Sequence, residues 1–173
     1  MGGAVAMSQS ATAPRTWALG DIAGKYLLKH SANLEADYVW NNAFGRTKKK
    51  VDYWPMPHAI FSSPQIASVG HTEEQLKEKG IPYLAGKYHY IDSGMGSAVA
   101  EEHGFVKILV HKKTRQILGC HIIGPEAASI IHEVIVAMRL KATIDKFIEA
   151  VHIHPAMSEV VQRAAWKLEK PQR

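Results

Sequence analysis

The chain has 173 residues, 46% of them hydrophobic and 21% charged, proportions of a globular domain rather than a disordered segment. No apolar run approaches the roughly 18 residues that a membrane-spanning helix needs, so no such helix is expected. The formal charge of +5 gathers in residues 46–50 (RTKKK) and in Lys112, Lys113 and Arg115. Neither run interleaves aromatics or matches a helix-turn-helix or Gly-rich RNA-binding pattern, so both read as solvated loops, not as a nucleic-acid footprint.

The opening MGGAVAM has neither a basic leader nor an export-length apolar core and reads as a frayed or appended end. Residues 16–19 suggest a short strand running into Gly20-Asp21. Residues 26–44 read as a helix with an incomplete apolar stripe of Leu27, Leu28, Leu34, Tyr38 and Val39, a stripe that looks cut from a larger domain. A basic, Pro-containing linker follows. Residues 59–69, interrupted by Ser63-Pro64, give two strand pieces. Thr72 with Gln75 three residues on is a capping box, and Glu73 and Glu74 suit the first turn of its helix. Gly80-Ile81-Pro82 ends that helix, and residues 83–90 form a strand.

Residues 105–110 and 117–123 are β-rich runs joined by a polar turn, a hairpin signal. Ala127, Ile130, Ile131, Val134, Ile135 and Met138 recur at helical spacing after Pro125. A short helix is expected over 144–148, and a last one begins at Pro155 with Met157, Val160, Val161, Ala164, Ala165 and Leu168 on one face. Strands followed by helices, with hairpin connections, predict an α+β fold: an antiparallel β-sheet with helices packed on it. Cys120 is the single cysteine, in an apolar strand, and reads as an inert buried thiol, which suits a reducing cytoplasm. Gly94-Met-Gly96 reads as a flexible loop. Trp17, Trp40, Trp54 and Trp166 read as packing anchors.

The densest chemistry is His152-Ile-His154-Pro155-Ala-Met-Ser-Glu159. Pro155 suits a first helical position, and Glu159 lies about one turn on, within reach of an imidazole. A carboxylate so placed orients an imidazole and favours its protonated form, an arrangement that suits proton exchange with a thiol. Spacing alone leaves three readings open: a catalytic pair, a metal site through His152 and His154, or a structural helix start. Metal is the weakest, since no third ligand is evident.

HIHPAMSE is similar to the His-x-His-Pro-Thr-x-x-Glu ending of the flavoprotein disulfide reductases, the class I pyridine nucleotide-disulfide oxidoreductases that include dihydrolipoamide dehydrogenase, glutathione reductase and mycothione reductase. TWALGD resembles the second flavin motif of that family. FSSPQIASVGHTEEQLKEKG resembles the start of its dimerisation domain, and GFVKILVHKKTRQILGCHIIGPEA the central hairpin and helix start. The pieces stand in the family's order and cover about residues 9 to 168. The resemblance implies a two-fold dimerisation domain over residues 51–173, preceded over 1–50 by a remnant of the FAD domain.

It also implies roles. His154 is the acid–base group for the thiol nearest the substrate, serving the disulfide of the other subunit of a homodimer, and Glu159 is its orienting partner. The His154–Pro155 bond is commonly cis in relatives. Asp21 would bond the flavin's ribityl chain, and Leu28, Lys29 and His30 would turn a helix start toward its pyrimidine edge. FAD and NAD(P) belong to the full-length enzyme, and none is expected to bind this chain tightly. No Gly-x-Gly-x-x-Gly and no Cys-x-x-x-x-Cys occurs in it, so the chain alone is expected to be inactive toward a disulfide or dithiol substrate. Ala156, Gln65 and Ser129 depart from the usual Thr, Glu and Glu. The exposed apolar side of the last two helices is where the two-fold interface is expected. The alternative is a stand-alone, non-catalytic dimerisation or scaffold module.

Overall fold

A computed structural model describes residues 16–168. The MGGAVAM opening, the start of the family-like segment at 9–15 and the last five residues lie outside the described residues. The chain divides into two compact units, Met1–Trp54 and Pro55–Arg173. No helix among the described residues is long and apolar enough to cross a membrane.

The first unit holds a 3-10 turn, Gly20–Ala23, and helix α1, Lys29–Phe44. The expected strand at 16–19 is a single bridge residue, Trp17. Helix α1 starts three residues later than expected because Leu28 is extended, while Tyr26 packs on Tyr53 with ring centroids 5.2 Å apart. Its buried face is polar, made of Ser31, Glu35 and Asn42, and Leu27 is exposed. Each polar group finds a partner, as burial demands. Glu35 accepts from the Gly20 amide at 2.6 Å and from the Tyr53 hydroxyl at 2.8 Å. Asn42 exchanges two 2.8 Å bonds with the Lys49 backbone, which folds the basic run back on the helix.

The second unit is built on a five-stranded, wholly antiparallel sheet of order β1-β2-β5-β4-β3: β1 Pro57–Ile60, β2 Ile66–Gly70, β3 Tyr83–His89, β4 Phe105–His111 and β5 Ile117–Ile123. Alternation along the strands gives the sheet two faces. One presents Ala67, Val69, Val106, Ile108, Val110, Cys120 and Ile122 to the main core. The other places Leu109 with Tyr83 and Leu76, the last carried by helix α2, Glu73–Glu78. Thr72 caps α2 with the reciprocal Gln75 bonds the sequence predicts.

Residues 94–96 are helical, not loop. Ser93 accepts from the Gly96 amide at 3.1 Å and starts helix α3, Gly94–Ala98. The expected helix over 127–138 is two pieces, α4 Ala127–Ile130 and α5 His132–Arg139, broken at Ile131 after Glu126 takes a left-handed φ of 57°. Helix α6 is Ile144–Glu149 and helix α7 is Glu159–Trp166.

Helix α7 corrects two expectations. It does not begin at Pro155: residues 156–158 close i→i+3 bonds, from the Glu159, Val160 and Val161 amides to the Ala156, Met157 and Ser158 carbonyls, before the α-helix is established. Nor does its apolar stripe form an exposed interface face. Val160, Val161, Ala164 and Ala165 are buried in the main core, each apolar side chain removing area worth about 25 cal/mol per Å². The close approach needs Gly86 on β3, where a Cβ would lie 2.1 Å from the Ala164 carbonyl oxygen. The exposed large apolar residues of this unit include Ile60, Phe61, Val136, Leu140, Val151 and Ile153. Trp40, Trp54 and Trp166 are also exposed rather than core anchors. Arg163 lies over the Trp166 ring at 4.6 Å.

Candidate functional site

Helix α6 starts on the Thr143 hydroxyl, which accepts from the Lys146 amide, and ends as the Ala150 amide bonds the Phe147 carbonyl. Beyond it the chain runs without helix or strand to His154, whose peptide bond to Pro155 is cis, and then turns into α7. Among the described residues the backbone of 151–155 makes no backbone–backbone hydrogen bond. Side chains hold it.

His154 Nδ1 lies 3.0 Å from both Oε1 and Oε2 of Glu159. The imidazole side chain is 70% exposed and the carboxylate 6% exposed, so a buried anion grips one edge of a ring otherwise open to solvent. Burial pushes the Glu159 carboxyl up. The hydrogen bond from His154 and that from the Ala156 amide, at 3.1 Å, with the charges of His154 and Arg163, outweigh it and hold the carboxyl below its ordinary value. An ionised carboxylate only accepts, so Nδ1 carries the proton in this contact, and in the neutral ring Nε2 has the lone pair. Nε2 makes no hydrogen bond to the described residues. The arrangement is an exposed imidazole with its tautomer fixed from behind by a buried carboxylate. Beside it, a Cβ added to Gly94 would lie 3.4 Å from His154 Cε1, so α3 passes close to the ring edge.

His152 goes elsewhere. Its Nδ1 is 2.9 Å from the Ala150 carbonyl and its Nε2 is 3.4 Å from Glu133 Oε2 on α5. His152, His154 and Glu159 therefore do not converge on one point, which is a geometric argument against the metal reading. Sequence inspection missed Glu133. It sits at helical spacing on an otherwise apolar stripe, and a carboxylate there was the available signal. Burial pushes its carboxyl up to about 7. Cys120 is fully buried, and burial, with Glu133 nearby, raises its thiol far above the ordinary range.

In the first unit, Asp21 is exposed in the 3-10 turn, and Lys29 and His30 are exposed at the start of α1. Leu28 supplies no side-chain cap. Gly20, next to Asp21, is tied to α1 through Glu35. Of the positions that depart from the resemblance, Gln65 accepts from the Ala128 amide at 3.3 Å, and Ser129 bonds the Glu126 carbonyl through its amide.

The dimerisation-domain model of the pyridine nucleotide-disulphide oxidoreductases matches residues 56–165, and the chain belongs to that family. Among curated relatives, it is 39% identical over 159 residues to a dihydrolipoyl dehydrogenase of Cupriavidus necator, covering 92% of this chain and 33% of the relative. It is also 39% identical over 153 residues to the mitochondrial dihydrolipoyl dehydrogenase 1 of Arabidopsis thaliana, covering 88% and 30%. The chain thus spans about a third of the length of the curated relatives it matches. The fold is that of the flavoprotein disulfide reductase RclA of Escherichia coli, with a TM-score of 0.83 at 23% identity, covering 93% of this chain and 36% of the other. It is shared with LpdA of Mycobacterium tuberculosis, with a TM-score of 0.81 at 21% identity, covering 87% and 33%.

Proposed function

We propose that the chain is the dimerisation part of a flavin-dependent NAD(P)H:disulfide oxidoreductase, to which it brings the acid–base pair His154–Glu159. The observation that carries this reading is the pair's geometry: a buried carboxylate on Nδ1 of an exposed ring. His154 Nε2 takes the proton of a substrate thiol as the sulfur attacks a disulfide, and returns it in the reverse direction. Glu159 keeps the ring in one orientation and stabilises the imidazolium while the proton is held. The disulfide belongs to the other subunit of a homodimer, and the substrate is a disulfide or its dithiol. The relatives named dihydrolipoyl dehydrogenase support a dithiol of the lipoyl kind.

Residues 1–50 are the closing part of the FAD domain, and residues 51–173 the dimerisation domain. Asp21, Leu28, Lys29 and His30 fit a flavin: an exposed carboxylate for hydroxyls, and an uncapped helix start that favours an electron-rich ring edge. The flavin, when bound, passes electron pairs between the nicotinamide and the disulfide. No residue set in this chain fits the nicotinamide cofactor, because it carries no Gly-x-Gly-x-x-Gly. Lacking also a cysteine pair, the chain by itself is inactive. A reducing, cytoplasmic setting completes the reading.

The test is His154→Gln in the flavin-loaded enzyme, with the two half-reactions followed separately. Flavin reduction by the nicotinamide is retained, while thiol–disulfide exchange falls by about 100-fold or more, the scale of a lost acid–base group. Equal loss of both would overturn the assignment.

A further inference from the structure

The segment that presents His154 has no backbone ladder of its own. Val151 is 99% and Ile153 77% exposed, yet the His152 side chain between them is 8% exposed. That ring is held on three sides: Nδ1 on the Ala150 carbonyl, Nε2 on Glu133, and a T-shaped contact with the Phe147 ring, with centroids 5.4 Å apart. We propose that Glu133 and His152 are positioning residues, a clamp that fixes the segment two residues before His154 while Glu159 fixes the ring itself.

The clamp contains a proton that its chemistry requires. A carbonyl oxygen only accepts, so His152 Nδ1 donates to Ala150, and in the neutral ring Nε2 is an acceptor. Glu133 Oε2 can then approach it to 3.4 Å favourably only when a proton lies between them. The groups facing Glu133 are His152 from the connecting segment and the Cys120 thiol from β5, whose own ionisation burial opposes. Among the described residues, Glu133 Oε1 is buried without a hydrogen-bond partner. A carboxyl in such a site resists ionisation, consistent with its displacement toward neutrality by burial. Once Glu133 ionises, its carboxylate faces the lone pair of the neutral ring, and the clamp opens.

The clamp's use in catalysis rests on the reading of His154 as the acid–base group; the clamp itself does not. The test is imidazole proton–nitrogen NMR of the 15N-labelled 173-residue chain on both sides of neutral pH, comparing wild type with Glu133→Gln and Glu133→Leu. The glutamine amide carries both a donor and an acceptor for His152 Nε2 and does not itself ionise, and leucine carries neither.

Below neutrality, wild type and Glu133→Gln both show a single Nδ1-protonated His152 and sharp His154 signals. Above neutrality, the His154 signals broaden in wild type and stay sharp in Glu133→Gln. In Glu133→Leu they are broad throughout. His154 and Glu159 are unchanged in the Gln variant, so its difference from wild type reports the clamp, even if the Leu variant fails to fold. Identical pH responses of wild type and Glu133→Gln, or a folded Glu133→Leu with His154 signals superimposable on wild type, would overturn the clamp. Neither outcome touches the half-reaction test of His154, so the two ideas fail separately.

Discussion

His154 Nδ1 sits equidistant, at 3.0 Å, from the two oxygens of Glu159, and the same carboxylate accepts the Ala156 amide at 3.1 Å. One buried anion therefore both orients the ring and closes the turn that starts α7. Ring orientation and fold share the residue, and its removal affects both.

Glu159→Gln should destabilise the second unit by about 1–3 kcal/mol at neutral pH, because an amide supplies neither the charge nor two acceptors. The pH dependence has a definite sign. The folded-state carboxyl of Glu159 is held below its ordinary 4.5, so its contribution is present above that value and is lost as pH falls through the depressed one. Urea unfolding across the acid range should show wild type approaching the variant as pH falls. A gap that widens toward acid would count against it.

Glu133 has the opposite sign. Its folded-state value is raised from 4.5 to about 7, so the favourable difference is present below 4.5 and is lost as pH rises through about 7. Glu133→Gln, which cannot ionise, should gain about 1–3 kcal/mol on wild type between acid and mildly alkaline pH, a scale set by roughly 1.4 kcal/mol per pH unit of displacement. Thermal unfolding at the two ends of that range checks it. A constant difference in Tm across the range would be the contrary result.

Much of this architecture is legible in the chain itself. The capping box at Thr72 and Gln75, the hairpin of β4 and β5, and the helical spacing of Val160, Val161, Ala164 and Ala165 are local patterns, and local patterns survive folding. What sequence inspection got wrong is what tertiary partners decide. Helix α1 has a polar buried face because Gly20, Tyr53 and Lys49 come to satisfy it, and no periodicity announces a partner 15 or 18 positions away. The α7 stripe turns inward, not toward a partner, because Gly86 leaves room on β3. His154 with Glu159 was readable from spacing; Glu133 with His152 was not, since they stand 19 positions apart with a whole helix between them.

Gly86→Ala tests that packing. A Cβ there would lie 2.1 Å from the Ala164 carbonyl oxygen, which belongs to backbone and cannot swing aside. A loss of about 1–3 kcal/mol or more is expected. Gly94→Ala meets His154 Cε1 only at 3.4 Å and should cost far less. Denaturant unfolding of both variants checks the ranking, and equal losses would contradict it.

Tyr53→Phe probes the first unit. It takes the hydroxyl from Glu35 Oε1 and leaves a buried carboxylate oxygen without that donor, at a cost of about 1–3 kcal/mol. Faster amide exchange along α1 is the expected readout. Unchanged protection of α1 would mean that Glu35 is not what holds it.

The central claim is a proton-moving imidazole lent to a neighbouring subunit, and mixed dimers of the intact flavoprotein test it most directly. One subunit carries His154→Ala, and the other keeps His154 but has its redox disulfide disabled. If the ring serves the partner, each mixed dimer regains one working thiol–disulfide site although both parent homodimers are inactive. If every mixed dimer stays as inactive as its parents, His154 does not act across the interface.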